Sequence, residues 1–296
     1  EQYIQLIELK DVQNILPIHS ENAHKYNTGK IVSVSGSRGY TGACILAVKG
    51  ALRGGAGIIK VLAPKSLSQI YENSIYEAIT LPVPDQSSGT FLFENIDQII
   101  NEIEWADTVF FGPGLQNDTI AVEWMAEVLK KINKPMILDA SGFQPLIDNK
   151  LKIHDLPDET ILTPHYAEFS RIFKMDIQDV INDPIASVKK IIPNLNGRIL
   201  ILKGRCNITV TSESQLLLMN HGTNALATAG TGDILTGLLA SGAAQGLDMN
   251  ETAVYSTYLH AECAHQYSQK ISGKGLTAHD IIKMLPYAQD ALYDIS

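Results

Sequence analysis

The sequence predicts an α/β protein, one doubly wound domain in which a mostly parallel sheet is covered by helices. Short runs of β-branched and other apolar residues alternate with longer segments of helical spacing, the order that a parallel sheet and its crossover helices require. Several of those short runs are continuously apolar rather than alternating, as expected of strands buried on both faces. The chain has 296 residues, 45% of them hydrophobic, enough for a large core and too apolar for disorder.

Residues 1–25 read as a leading helix and arm, and 26–296 as a single domain without linker, internal repeat or low-complexity tract. The first strand spans 31–35 (Ile-Val-Ser-Val-Ser) and ends in Gly36-Ser37. A helix rich in Ala, Gly and Leu follows over 42–55, then a strand over 57–62. Strands over 108–111, 135–139, 160–163 and 199–203 repeat the pattern. Residues 208–210 and 215–218 read as an antiparallel pair turning at Ser212-Glu213-Ser214, and helices follow over 233–245 and 251–270.

The net charge of −9 argues against a nucleic-acid partner, which favours a basic surface. It leaves anionic small molecules open, since these need only local positive potential. Cys44, Cys206 and Cys263 are far apart and lack metal-ligand spacing, so they read as buried thiols in a reducing compartment. No signal peptide or membrane-spanning run is present; the longest apolar stretch, 234–244, is short and broken by Thr, Ser and Gly. A cytoplasmic setting is expected. The start at Glu1 without Met fits a processed start, a trimmed one, or a piece of a longer polypeptide.

In doubly wound sheets, ligands bind beyond the carboxyl ends of the strands. The unusual residues fall there: Gly36, Gly112-Pro113-Gly114, Asp139-Ala140, Thr163-Pro164-His165 and Lys203-Gly204 each follow a strand. The most informative stretch is Ala227-Thr228-Ala229-Gly230-Thr231-Gly232-Asp233, which runs into the helix at 233–245. Glycines let backbone N–H groups approach a bound group, and a helix N-terminus favours negative charge, so the loop suits a phosphate. An acid beside an anion is a poor neighbour unless it handles a proton, which makes Asp233 the candidate base. The plainer reading is a tight turn with Asp233 as N-cap.

Gly36-Ser37-Arg38-Gly39-Tyr40-Thr41-Gly42-Ala43 opens a helix without dinucleotide-fingerprint spacing; its glycines line a ligand or merely turn the chain, and His24-Lys25 adds positive charge nearby. His165 and Glu168 fall three apart in a first helical turn, where the glutamate can hold a magnesium-bound water or simply complement the helix dipole. Lys203, Gly204, Arg205, Cys206 and Asn207 place a cation and flexible backbone at a strand end, suiting a nucleotide or a plain turn. His260 and His265, five apart, have the wrong spacing for one metal and read as surface or packing residues.

Taken together and in order, Gly36-Ser37 with Tyr40-Thr41-Gly42-Ala43, Gly112-Pro113-Gly114-Leu115, Leu138-Asp139-Ala140, Thr163-Pro164-His165, Lys203-Gly204 and Ala229-Gly230-Thr231-Gly232-Asp233 resemble the NAD(P)H-hydrate dehydratases of the ribokinase-like superfamily. The resemblance runs from about residue 24 to 286. It implies a ribokinase-like, three-layer α/β/α sandwich and nucleotide-dependent return of hydrated NADH or NADPH to the intact cofactor. By position, Asp233 would be the catalytic base, and Ala43, Gly114, His165 and Asp233 would bind the hydrate. Lys203, Gly204, Arg205, Cys206, Asn207, Gly230, Thr231 and Gly232 would bind the nucleotide, and Glu168 would orient magnesium. The donor is ADP or ATP, with the first loop favouring ADP. The resemblance also implies a homo-oligomer, the tetramer being common in the family, and fusion behind an epimerase domain in many bacterial relatives. Gln116, Ser141, Ala167 and Asn207 depart from the family pattern, and none lies in the Gly-Thr-Gly-Asp core. The alternatives are a kinase of a small vitamin-precursor alcohol in the same superfamily and a nucleotide-binding regulatory module without turnover.

Overall fold

The computed structural model describes residues 3–17, 29–222, 224–271 and 274–293. Ten strands form one sheet: β1 (Ile4–Leu6), β2 (Lys30–Val34), β3 (Ile58–Pro64), β4 (Ile79–Val83), β5 (Thr108–Phe111), β6 (Met136–Leu138), β7 (Thr160–Leu162), β8 (Ile199–Leu202), β9 (Asn207–Val210) and β10 (Leu216–Met219). Their spatial order is β1-β10-β9-β8-β7-β6-β5-β2-β3-β4. Neighbours are parallel throughout, except that β9 runs against both β8 and β10.

The helices are α1 (Leu9–Gln13), α2 (Thr41–Arg53), α3 (Ser68–Glu72), α4 (Ile96–Glu104), α5 (Thr119–Lys131), α6 (Gln144–Ile147), α7 (Tyr166–Phe173), α8 (Ile177–Asn182), α9 (Pro184–Ile191), α10 (Thr231–Ala244), α11 (Met249–Lys270) and α12 (Ala278–Tyr293). Successive strand residues point to opposite faces. Val32, Phe111, Leu138, Leu162 and Leu200 therefore pack with α4 to α9, while their neighbours Ile31, Phe110, Ile137, Ile161 and Ile199 pack against α2, α10 and α11. Both faces are dry, which is why these strands read as unbroken apolar runs. No helix among the described residues is long and apolar enough to cross a membrane.

The strands and helices placed by sequence fall within two residues of observed ones, and the sandwich is the three-layer α/β/α arrangement expected. The sequence reading misses the two edge strands. Strand β4 contains Pro82, tolerated at an edge because one side of the ladder needs no donor; β1 is three exposed residues. Among the described residues of the leading segment the helix is the five residues of α1, and β1 before it joins the sheet alongside β10. His24 and Lys25 lie outside the described residues. Cys206, expected to be buried like Cys44 and Cys263, is half-buried, with Sγ 3.1 Å from Asn220 Oδ1.

Helices α2 and α10 lie in backbone contact because glycines face each other's chain. A Cβ on Gly237 would stand 1.9 Å from the Ala47 carbonyl oxygen, and one on Gly50 would stand 2.7 Å from that of Ile234. Gly237→Ala therefore forces the helices apart. It is expected to cost about 3 kcal/mol or more of stability, read as a lower urea midpoint; an unchanged midpoint would contradict this packing.

Strand order reverses between β2 and β5, the kind of switch point beyond whose strand ends doubly wound sheets bind ligands. Two hydrogen bonds tie the loops across that point: the Gly36 N–H donates to the Pro113 carbonyl at 2.8 Å, and the Ser37 hydroxyl donates to that of Gly114 at 2.8 Å.

Candidate active site

Lys203 leaves the end of β8, where its N–H donates to the Pro164 carbonyl at 2.8 Å and its backbone bridges to His165. Its Nζ then reaches Asp139 Oδ1 at 2.7 Å, at the end of β6. The other Asp139 oxygen accepts from Thr236 Oγ1 of α10 at 2.8 Å, and Asp139 is only 2% exposed. One acid thus pins two strand ends and α10 together. Burial opposes the Lys203 charge, but Asp139 and Glu168 outweigh it, so the ammonium is held protonated above its ordinary range.

The loop before α10 turns on Gly230, whose φ of +88° is left-handed and whose Cβ would collide with Leu46 at 2.6 Å. The Thr231 hydroxyl donates to the carbonyls of Leu226 and Thr228 at 2.8 and 2.9 Å, which fixes the turn. The helix has no side-chain cap, so its N-terminal partial positive charge is not answered by a capping group. A Cβ on Gly232 would lie 3.3 Å from Lys203 Nζ, so the ammonium rests against this turn. An uncapped helix start and a fixed cation together suit an anion.

Asp233 is the third residue of α10 rather than its N-cap, which corrects the plainer sequence reading; Gly230 holds that place. Its carboxyl is half-buried, and its pKa is pushed up to about 7 by burial first and by Asp139 second, with Lys203 opposing and Glu168 adding. A carboxylate tuned to neutrality is what a general base requires.

At the start of α7, His165 Nδ1 accepts from the N–H groups of Ala167 (3.1 Å) and Glu168 (3.2 Å), and Glu168 Oε2 accepts from the His165 N–H at 2.9 Å. With Nδ1 an acceptor, the ring proton sits on Nε2. Glu168 is raised above the usual carboxylate range, mainly by burial and despite Lys203.

A cavity of about 610 Å³ opens over these groups. His165, Lys203, Gly204, Arg205, Asn207, Thr231 and Gly232 line it, joined by Leu226, Leu235 and His260. Of the nucleotide set expected from sequence, Cys206 and Gly230 do not line the cavity; Cys206 turns toward Asn220 and Gly230 shapes the loop from behind. Ala43 and Gly114 stand apart from it at the switch point, where a Cβ on Gly114 would lie 3.0 Å from that of Ala43. Asp233 is not among the residues lining the cavity; its charge acts on Lys203 of the cavity wall and on Cys44 of α2.

Three contributors were not assigned by sequence. Asp139 was visible as a strand-end acid without a role. Thr236, one turn beyond Asp233, carried no signal of its own. His260, read as surface or packing, is buried in the cavity wall. Among the described residues no three His, Cys, Asp or Glu side chains are placed to hold a metal directly.

The family model described as NAD(P)H-hydrate dehydratase matches residues 31–287. A bifunctional NAD(P)H-hydrate repair enzyme from Dictyoglomus turgidum is 30% identical over 292 residues, covering 98% of this chain and 56% of its own length. The chain spans about half the length of the curated relatives it matches. Among solved structures, a ribokinase-like superfamily protein from Enterococcus faecalis superposes with a TM-score of 0.84 at 22% identity, covering 98% of this chain and 96% of the other. An ADP/ATP-dependent NAD(P)H-hydrate dehydratase from Bacillus subtilis, co-crystallized with ATP/Mg2+, gives 0.82 at 23% identity, covering 97% and 98%. These likenesses establish a ribokinase-like fold.

Proposed function

The chain belongs to the NAD(P)H-hydrate dehydratase family, and we propose that residues 26–296 catalyse nucleotide-dependent dehydration of the S form of hydrated NADH or NADPH. The observation that carries this reading is Asp233, a carboxyl poised near pH 7 beside a cation and an uncapped helix N-terminus. The hydrate enters from the Ala43–Gly114 side, with His165 donating a hydrogen bond from Nε2. The nucleotide takes the cavity. Asp233 accepts the proton of the ring hydroxyl as its oxygen attacks the terminal phosphorus, and the P–O bond to the leaving nucleotide breaks. Lys203 and the N–H groups of the loop over 229–232, apart from that of Thr231, which donates to the Thr228 carbonyl, meet the phosphoryl oxygens where charge is greatest. The ring nitrogen's lone pair then expels phosphate by cleaving the C–O bond, and the resulting iminium loses a proton from the neighbouring ring carbon to restore the double bond, leaving NAD(P)H, phosphate and, from ADP, AMP.

Magnesium fits these residues as a phosphate-bound ion. It usually keeps several waters and takes one or two carboxylates besides substrate phosphates, so no all-protein cage is needed. Glu168, with Oε2 engaged at the helix start, would hold one of those waters, and the ion would neutralise the phosphates. ADP is our choice of donor over ATP. The proposal carries with it the tetramer and the cytoplasmic setting, the first tested by light scattering. A vitamin-precursor kinase would share the Gly-Thr-Gly-Asp loop, but the family match favours the dehydratase. A regulatory module would gain nothing from an acid beside a phosphate.

Because the base must be ionised, kcat/KM for the hydrate is expected to rise with pH through about 7 and then level off. Asp139→Asn removes a like charge that raises Asp233, so this limb should move to lower pH. A limb that stays in place would remove Asp233 as its origin. The products give a second check: one AMP and one phosphate should accompany each NADH formed from ADP.

A further inference from the structure

His260 takes no part in the chemistry above. It lies on α11, is 4% exposed, and lines the cavity with Leu226, Thr231 and Leu235. Among the described residues neither ring nitrogen has a hydrogen-bond partner; the Thr231 backbone approaches the ring without meeting hydrogen-bond geometry. Burial keeps the imidazole neutral, with its pKa pushed down to about 4; the Thr231 backbone opposes this only in part, and Lys203 adds to it. A neutral imidazole carries one donor and one acceptor, and leaving both unmade in a buried wall is unfavourable. Natural structures seldom keep such a group without a use for it.

The partner is constrained by chemistry and by place. An apolar group satisfies neither nitrogen. A phosphate oxygen needs the N–H, and its charge would draw a second proton onto a ring that burial keeps neutral. A hydroxyl pairs with whichever nitrogen faces it. The ring abuts Thr231, in the first turn beyond the phosphate loop, so the unit beside it is the one next to the phosphates, the sugar, and not the base. We infer that His260 recognises the ribose of the bound nucleotide by hydrogen-bonding one of its hydroxyls. The inference rests on the assignment of this cavity to the nucleotide.

The test is calorimetric titration of ADP, 2′-deoxy-ADP, 3′-deoxy-ADP and inosine diphosphate into the wild-type chain, His260→Leu and His260→Gln. The wild type is expected to bind ADP about 5- to 30-fold more tightly than one of the deoxy analogues, the effect of one buried hydrogen bond. In His260→Leu that preference should vanish, while the preference over inosine diphosphate stays. His260→Gln, which keeps a donor and an acceptor, should recover part of the ribose preference. Without nucleotide, His260→Leu should unfold at the wild-type temperature or above it, because an unpaired buried polar group has been removed. Retained deoxy discrimination in His260→Leu overturns the inference. So does a change confined to inosine diphosphate, which would assign the ring to the base. A drop in unliganded stability with unaltered nucleotide affinities would make His260 a packing residue. Failure of the wild type to bind ADP or ATP would overturn the assignment of the cavity itself, and the inference with it.

Discussion

Replacing Asp233 by Asn is expected to lower kcat for hydrate dehydration by about 10²- to 10⁴-fold, the usual contribution of a positioned general base. ADP affinity should be unchanged or tighter, since a negative charge beside a phosphate is removed. The same change should stabilise the fold at alkaline pH. An unfolded Asp ionises near 3.8, whereas in the fold Asp233 holds its proton to about 7. Raising the pH through that interval strips the proton from the unfolded chain first, so wild-type stability falls, and the full cost is present above about 7. Asn carries no such cost. Asp233→Asn should therefore unfold at higher temperature than wild type at pH 8, and at the same temperature below about pH 4. Normal turnover in a folded Asp233→Asn would exclude this residue as the base.

The second large effect is expected at Lys203→Met. The substitution strips the Asp139 carboxyl, buried at 2% exposure, of its cation and leaves Thr236 as its side-chain partner among the described residues. Breaking a buried pair in this way typically costs about 3–5 kcal/mol. It also removes the cation resting against the phosphate loop and lets Asp233 rise further, since Lys203 is what lowers it. Stability, nucleotide affinity and turnover should all fall. Adding Asp139→Asn in the Lys203→Met background should restore much of the stability and none of the lost nucleotide affinity, a non-additivity read from a double-mutant cycle. Additive losses would show that the two residues act separately.

Most of the architecture was legible because its signals are local. The apolar runs at 108–111 and 199–202 can be little else than strands buried on both faces, and Gly230 to Asp233 announce a helix start by composition alone. Edge strands β1 and β4 were not legible, since a strand with one free side needs neither length nor an unbroken donor row. At the site, Asp233 and Lys203 could be singled out from their chain neighbours. Asp139 could not be given a role from sequence, because its role comes from Lys203 and Thr236, distant in the chain and adjacent only once β6, β8 and α10 converge. His260 failed for a related reason: helical spacing around it does not reveal that its face of α11 closes a cavity rather than a core.

The central claim is tested most directly by supplying the chain with chemically prepared NADH hydrate, magnesium and either ADP or ATP, and following the return of reduced-nicotinamide absorbance. Recovery that requires a nucleotide, and is faster with ADP, is the predicted result. No recovery with either nucleotide, from folded protein that still binds ADP, would contradict the dehydratase assignment.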